Sequence, residues 1–145
     1  MSRTVLVLNG PNLNRLGVRE PEVYGRTTFA ELTQICEEAA QVQGLSADVR
    51  QTNDEAQLID WLHEAADGGL PVVLNPAAFT HYSYALRDAC AMLTAPLIEV
   101  HLSNPAAREE FRHTSVISGV ATGTIAGFGV DSYLLALEQI ARLTT

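Results

Sequence analysis

Three stretches of this chain carry side chains able to move protons. Residues 9–25 hold Asn12, Arg19 and Tyr24, with Asn9, Asn14 and Arg15 beside them. A phenol near two guanidinium groups is a candidate base, because a nearby cation favours the phenolate. Residues 75–81 begin with Asn75 and end with His81, and residues 99–112 hold Glu99, His101, Ser103, Arg108 and Arg112. Glu99 and His101 occupy alternate positions of an apolar run, so on a strand they share a face. A carboxylate beside an imidazole fixes its tautomer and favours its protonated form, which makes a general acid. Arg108 and Arg112 are spaced by one helical turn and on a helix would form a clamp for a carboxylate or phosphate. His81, Glu99 and His101 could in principle ligate a metal, but their spacing is wider than short-range metal motifs and no Cys or HExxH pattern accompanies them, so no metal is expected.

The elements that must hold these stretches follow from periodicity. Apolar runs at residues 4–8, 71–74 and 97–101 read as buried strands, with a fourth strand expected at 45–51 and a fifth within the Gly-, Val- and Ile-rich segment 118–127. Helical spacing appears at 28–42, behind a Thr52-to-Glu55 pattern that resembles a capping box, from Thr80 or Ser83 to about 94, and from 131 to 143. One or two helical turns are expected at 106–111. Strand and helix thus alternate, which predicts an α/β fold, a flavodoxin-like doubly wound sheet of five parallel strands in the order 2-1-3-4-5. Ligands of such sheets sit beyond the carboxyl ends of the strands. The three reactive stretches all begin there. Residues 9–25 would form a long loop with the apolar anchors Leu13, Leu16, Val18 and Val23, able to close over a ligand.

Composition narrows the function. The chain has 145 residues, is 47% hydrophobic, and fits one domain spanning residues 1–145. A formal net charge of -8 argues against nucleic acid as a partner, although a local arginine cluster can still attract an anionic small molecule. All the basic residues are arginine, so a lysine imine and the lysine of a phosphate-binding P-loop are both excluded. Cys36 and Cys90 fall in helical patterns without metal spacing and read as buried thiols in a reducing cytoplasm. No signal peptide or membrane-spanning run is seen. A flavin-binding or phospho-receiver domain of the same fold is the competing class. The first would need a Ser/Thr- and Gly-rich phosphate cradle after the first strand, the second an acidic pair and a lysine.

Across nearly its whole length the sequence resembles the type II 3-dehydroquinate dehydratases of the shikimate pathway. The resemblance rests on Asn9-Gly-Pro-Asn-Leu-Asn-Arg-Leu-Gly with Arg19-Glu-Pro and Tyr24-Gly25, on Asn75-Pro-Ala-Ala-Phe-Thr-His81, on Leu86-Arg-Asp-Ala, on Glu99-Val-His-Leu-Ser-Asn104 and on Arg108-Glu-Glu-Phe-Arg-His113. It implies a cofactor-free hydro-lyase acting on 3-dehydroquinate through an enolate. It implies Tyr24 as base, Arg19 as the cation favouring its phenolate, Asn12 as holder of a water at the enolate oxygen, His101 as acid and Glu99 as its orienting partner. It further implies Asn75, His81, Leu102, Ser103 and Arg112 as substrate binders, Asp88 as a residue reaching a neighbouring subunit's site, and a cytoplasmic dodecamer built from trimers. The bottom-up reading agrees, since proton loss beside a ketone needs a base, an enolate stabiliser and an acid. Tyr82, Tyr84 and Asp131-Ser132 depart from the family's usual residues and bear on subunit packing and the site's rim.

Overall fold

Alternate residues of the first strand face opposite ways, and each set is buried in its own apolar layer. In β1 (Arg3–Asn9), Val5 and Val7 pack on one side while Leu6 and Leu8 pack on the other, all at most 1% exposed. A strand buried on both faces lies inside a sheet covered by helices on both sides. The computed structural model, which describes residues 3–145, has that architecture. The span 1–145 and the reading of the amino terminus therefore extend, for residues 1–2, outside the described part.

Five parallel strands pair in the order β2-β1-β3-β4-β5. They are β1, β2 (Leu45–Gln51), β3 (Val72–Asn75), β4 (Leu97–His101) and β5 (Gly123–Ala126). The short helix α1 (Pro21–Tyr24) lies in the loop after β1. Helices α2 (Phe29–Val42) and α5 (Asp131–Leu143) cover one face with Leu32, Cys36, Tyr133, Leu137 and Ile140. Helices α3 (Glu55–Gly68) and α4 (Tyr84–Cys90) cover the other with Leu58, Leu62, Leu86 and Cys90. Each fully buried Val or Leu contributes about 1.5–3 kcal/mol relative to an exposed one, so the two layers dominate stability. The register aligns Asn9 with Asn75, and His101 with Ala126, so the three reactive loops leave one edge of the sheet. Among the described residues no helix is long and apolar enough to cross a membrane.

Local chemistry departs from the sequence expectations in three places. Thr28 caps α2 through a full capping box with Glu31, but α3 starts differently. Its cap is Asp54, which accepts from the Ala56 N–H at 3.0 Å, while Thr52 Oγ1 accepts from the Asp54 N–H at 3.0 Å and so sets the entry one step earlier. Helix α4, capped by Ser83, stops at Cys90 and not near residue 94. Its end tightens into i→i+3 bonds from Met92 to Ala89 and from Leu93 to Cys90, ahead of Pro96. The segment after β4 forms two separate 3-10 turns, Pro105–Ala107 and Glu110–His113, with Arg108 extended between them. Arg108 and Arg112 therefore do not share a helix face, and the clamp expected from their spacing does not form.

Candidate active site

Two backbone approaches build the site. The Gly10 N–H donates to the Asn75 carbonyl at 2.8 Å, which ties the loop after β1 to the loop after β3. A side chain at Gly10 would place its Cβ 2.7 Å from the Pro76 carbonyl oxygen, so the approach requires glycine. Gly17, at φ +89°, brings the two ends of the loop together against the Arg26 carbonyl and Thr28. The non-glycine residues with positive φ among those described are Asn12, Glu20 and Ala77, and all three lie in these two loops. Such backbone costs about 1–3 kcal/mol each and persists where neighbouring bonds hold it. Asn12 is held by its N–H donating to Asn53 Oδ1 at 2.9 Å, and Ala77 by its N–H donating to Asn75 Oδ1 at 3.1 Å.

The resulting pocket is lined by Pro11, Asn12, Leu13, Arg19, Tyr24, Asn75, Ala77, Ala78, His81, Leu102 and Arg112. Seven of the residues singled out from the sequence thus share one concavity. Ser103 lies in an adjoining groove that shares Tyr24 and Leu102 with the pocket and contains Arg108. Asp88 is on the exposed side of α4 and lines neither. His81 donates from Nδ1 to the Thr114 carbonyl at 2.9 Å, its Nε2 has no partner among the described residues, and it meets Phe111 edge to face with ring centroids 5.9 Å apart. Arg112 is steadied by Glu109 at 3.0 Å and lies over the Phe111 ring.

Tyr24 stands between two guanidinium groups. Arg19 Cζ lies 4.8 Å from the ring centroid and Arg108 Cζ 5.1 Å from it. Arg108 Nη1 also donates to the Tyr24 hydroxyl oxygen at 2.8 Å and to Ser103 Oγ at 3.4 Å. The sequence paired Tyr24 with Arg19. It missed Arg108 as a partner, although Arg108 was visible as half of the supposed clamp.

The acid couple sits at the end of β4. His101 Nε2 donates to Glu99 Oε2 at 2.6 Å, and both side chains are almost fully buried. Among the described residues His101 Nδ1 has no partner. Glu99 also accepts from the Thr80 hydroxyl, from Ser115 Oγ at 3.0 Å and from Ser118 Oγ at 2.7 Å. Burial by itself would raise the Glu99 pKa. The bonds from His101, Thr80 and Ser118 outweigh it and hold the carboxyl below its ordinary value. Thr80 adjoins His81 in a stretch already singled out, but Ser115 and Ser118 come from a turn with no sequence signal of their own. His101 does not line the pocket, whereas the adjacent Leu102 does. His63 and His113 are exposed, and no group of three or more His, Cys, Asp or Glu side chains is arranged to hold a metal among the described residues.

Comparison with known proteins matches residues 3–141 to the family described as dehydroquinase class II. A 3-dehydroquinate dehydratase of Salinispora tropica is 64% identical over 137 residues, covering 94% of this chain and 96% of its own. One from Mycobacterium tuberculosis is 60% identical over 138 residues, covering 95% and 94%. The crystal structure of type II dehydroquinase from Propionibacterium acnes superposes with a TM-score of 0.96 at 55% identity over 98% of both chains.

Proposed function

The chain belongs to the class II dehydroquinases, and from that premise we propose how its own residues remove water from 3-dehydroquinate. The enzyme is a hydro-lyase of the shikimate pathway, and the product is 3-dehydroshikimate. In the proposed sequence the Tyr24 oxygen takes a proton from the carbon beside the ketone, and the electron pair of that C–H bond forms the enolate. Asn12 holds a water against the enolate oxygen. His101 then gives a proton to the departing hydroxyl as the enolate collapses, so the C–O bond breaks with loss of water and a C=C bond forms. Asn75, His81, Leu102, Ser103 and Arg112 bind and orient the substrate.

The observation that carries this reading is the hydrogen bond from Arg108 to Tyr24. Its direction makes the phenol oxygen an acceptor, and two cations lie beside it. Cations placed there stabilise the negative charge that develops as the substrate proton moves. The Glu99–His101 bond supports the second half. It fixes the imidazole through Nε2 and leaves Nδ1 to deliver a proton, while Glu99 compensates the positive ring.

Subunits of this chain are proposed to assemble as trimers packed into a dodecamer, with Asp88 reaching a neighbour's site. Exposed Tyr84 and Met92 flank Asp88 on and after α4, and exposed Phe128 and Leu135 stand beside the edge strand β5. Apolar side chains grouped in this way suit burial between copies.

The test is to mix the pure protein with 3-dehydroquinate and follow the enone absorbance of the product. Turnover that survives EDTA, and borohydride added with substrate, is expected. Loss with either reagent overturns the metal- and imine-free mechanism.

A further inference from the structure

Tyr133 is the largest fully buried side chain of the molecule, and its hydroxyl lies between the ends of two site-bearing strands. It donates to Asn9 Oδ1 at 2.6 Å and accepts from Asn75 Nδ2 at 2.8 Å. The direction of each bond follows from backbone carbonyls further back. Asn9 Nδ2 donates to the Arg50 carbonyl at 3.0 Å and the Val7 carbonyl at 3.3 Å, so the Asn9 oxygen must face Tyr133. Tyr133 has one proton, which goes to Asn9, and only a lone pair remains for Asn75. Asn75 must therefore present its NH2 to Tyr133 and its oxygen to the Ala77 N–H. Burial pushes the Tyr133 phenol up from its ordinary value, so it stays a neutral hydroxyl with both roles at working pH.

We infer that Tyr133 is a positioning residue for substrate binding, because it fixes which end of the Asn75 amide faces the pocket and anchors the left-handed turn at Ala77. Tyr133 itself does not line the pocket, whereas Asn75 and Ala77 do. With one Asn75 N–H bonded to Tyr133, the second is left to meet an acceptor oxygen of the ligand. A reversed amide would put a carbonyl there and repel the same oxygen. The polarity of the chain from Arg50 through Asn9 and Tyr133, together with the Ala77 N–H on the Asn75 oxygen, opposes that reversal.

This inference rests on the proposed dehydratase reading and on Asn75 as a substrate binder. Its test is a double-mutant cycle between Tyr133→Phe and Asn75→Ala, with circular dichroism as the check on folding. Tyr133→Phe should raise KM about tenfold with a smaller change in kcat, as for loss of a binding contact. In the Asn75→Ala background the same substitution should change KM less than about twofold, since its effect travels through Asn75. Should Tyr133→Phe not fold, Asn9→Ala takes its place in the cycle. It lets the Tyr133 proton turn toward Asn75 and should give the same KM rise and the same coupling. A wild-type protein with no turnover would remove the dehydratase reading itself. An active wild type in which the substitution costs the same in both backgrounds, or lowers kcat at constant KM, would leave Tyr133 a purely structural residue and overturn the inference.

Discussion

Tyr24 is half-buried between two arginines, and its proposed role as base rests on them. They differ in where they act. Arg108 touches the oxygen on which the phenolate charge would sit, whereas Arg19 lies over the ring. Tyr24→Phe removes only the hydroxyl and should lower kcat about a thousandfold with folding intact, the scale of a lost general base. Arg108→Ala and Arg19→Ala should each lower kcat more than they raise KM, the fall being larger for Arg108→Ala, as turnover measured for both variants will show. A rise in KM at constant kcat would make the arginine a substrate binder instead. Glu99 gives a second prediction. Its folded-state pKa lies below the ordinary 4.5, so its ionised form stabilises the fold above that value and the contribution disappears as pH falls through the folded value. Urea midpoints measured from neutral to acid pH should show wild type losing its advantage over Glu99→Gln only below about pH 4.5. At this scale residue types were legible in the sequence, because Tyr, His, Glu and Arg announce their chemistry. The pairing of Glu99 with His101 was legible from strand alternation, but others were not, because Arg108 meets Tyr24, and Ser118 meets Glu99, only after the strands are in register.

The elements that bear these residues are joined by a few tight contacts, and those contacts set how well the site closes. The meeting of Gly10 with Pro76 is the closest of them. Gly10→Ala should push the loop after β1 away from the loop after β3, break the bond from Gly10 to Asn75, and cost about 1–3 kcal/mol, as overpacking does. Urea denaturation gives that cost. The value of kcat/KM should fall by more than stability alone explains, since Asn12 and Asn75 sit on either side of the displaced contact. Strands and long helices were readable from period and caps, as Thr28 and Glu31 illustrate. The short elements were not. The 3-10 turns around Arg108 lie in a segment tied back to the loop after β3 by the bond from Val116 to the Thr80 carbonyl, which no local pattern encodes, while α4 ends early in the tightened turn ahead of Pro96.

For the whole molecule, topology was legible because both-face burial of β1, β3 and β4 requires helices on both sides, and parallel crossovers then leave few strand orders. The exposed apolar residues near Asp88 and β5 give the proposed assembly a test. Light scattering should report a large homo-oligomer, and the urea midpoint should rise with protein concentration, because association stabilises the folded subunit by mass action. Asp88→Ala should weaken substrate binding or assembly more than it harms the fold. A stable, fully active monomer would reject this proposal.

The placement of the two cysteines has a consequence for watching the protein breathe. Cys36 belongs to the layer under α2 and α5, and Cys90 to the layer under α3 and α4, with the sheet between them. Burial pushes both thiols up to about 12, so neither offers a thiolate to a reagent while its layer is shut. Each thiol is therefore a clock for its own side of the sheet. Equal labelling rates would mean that the two layers part together, and unequal rates would identify the side from which the molecule comes undone.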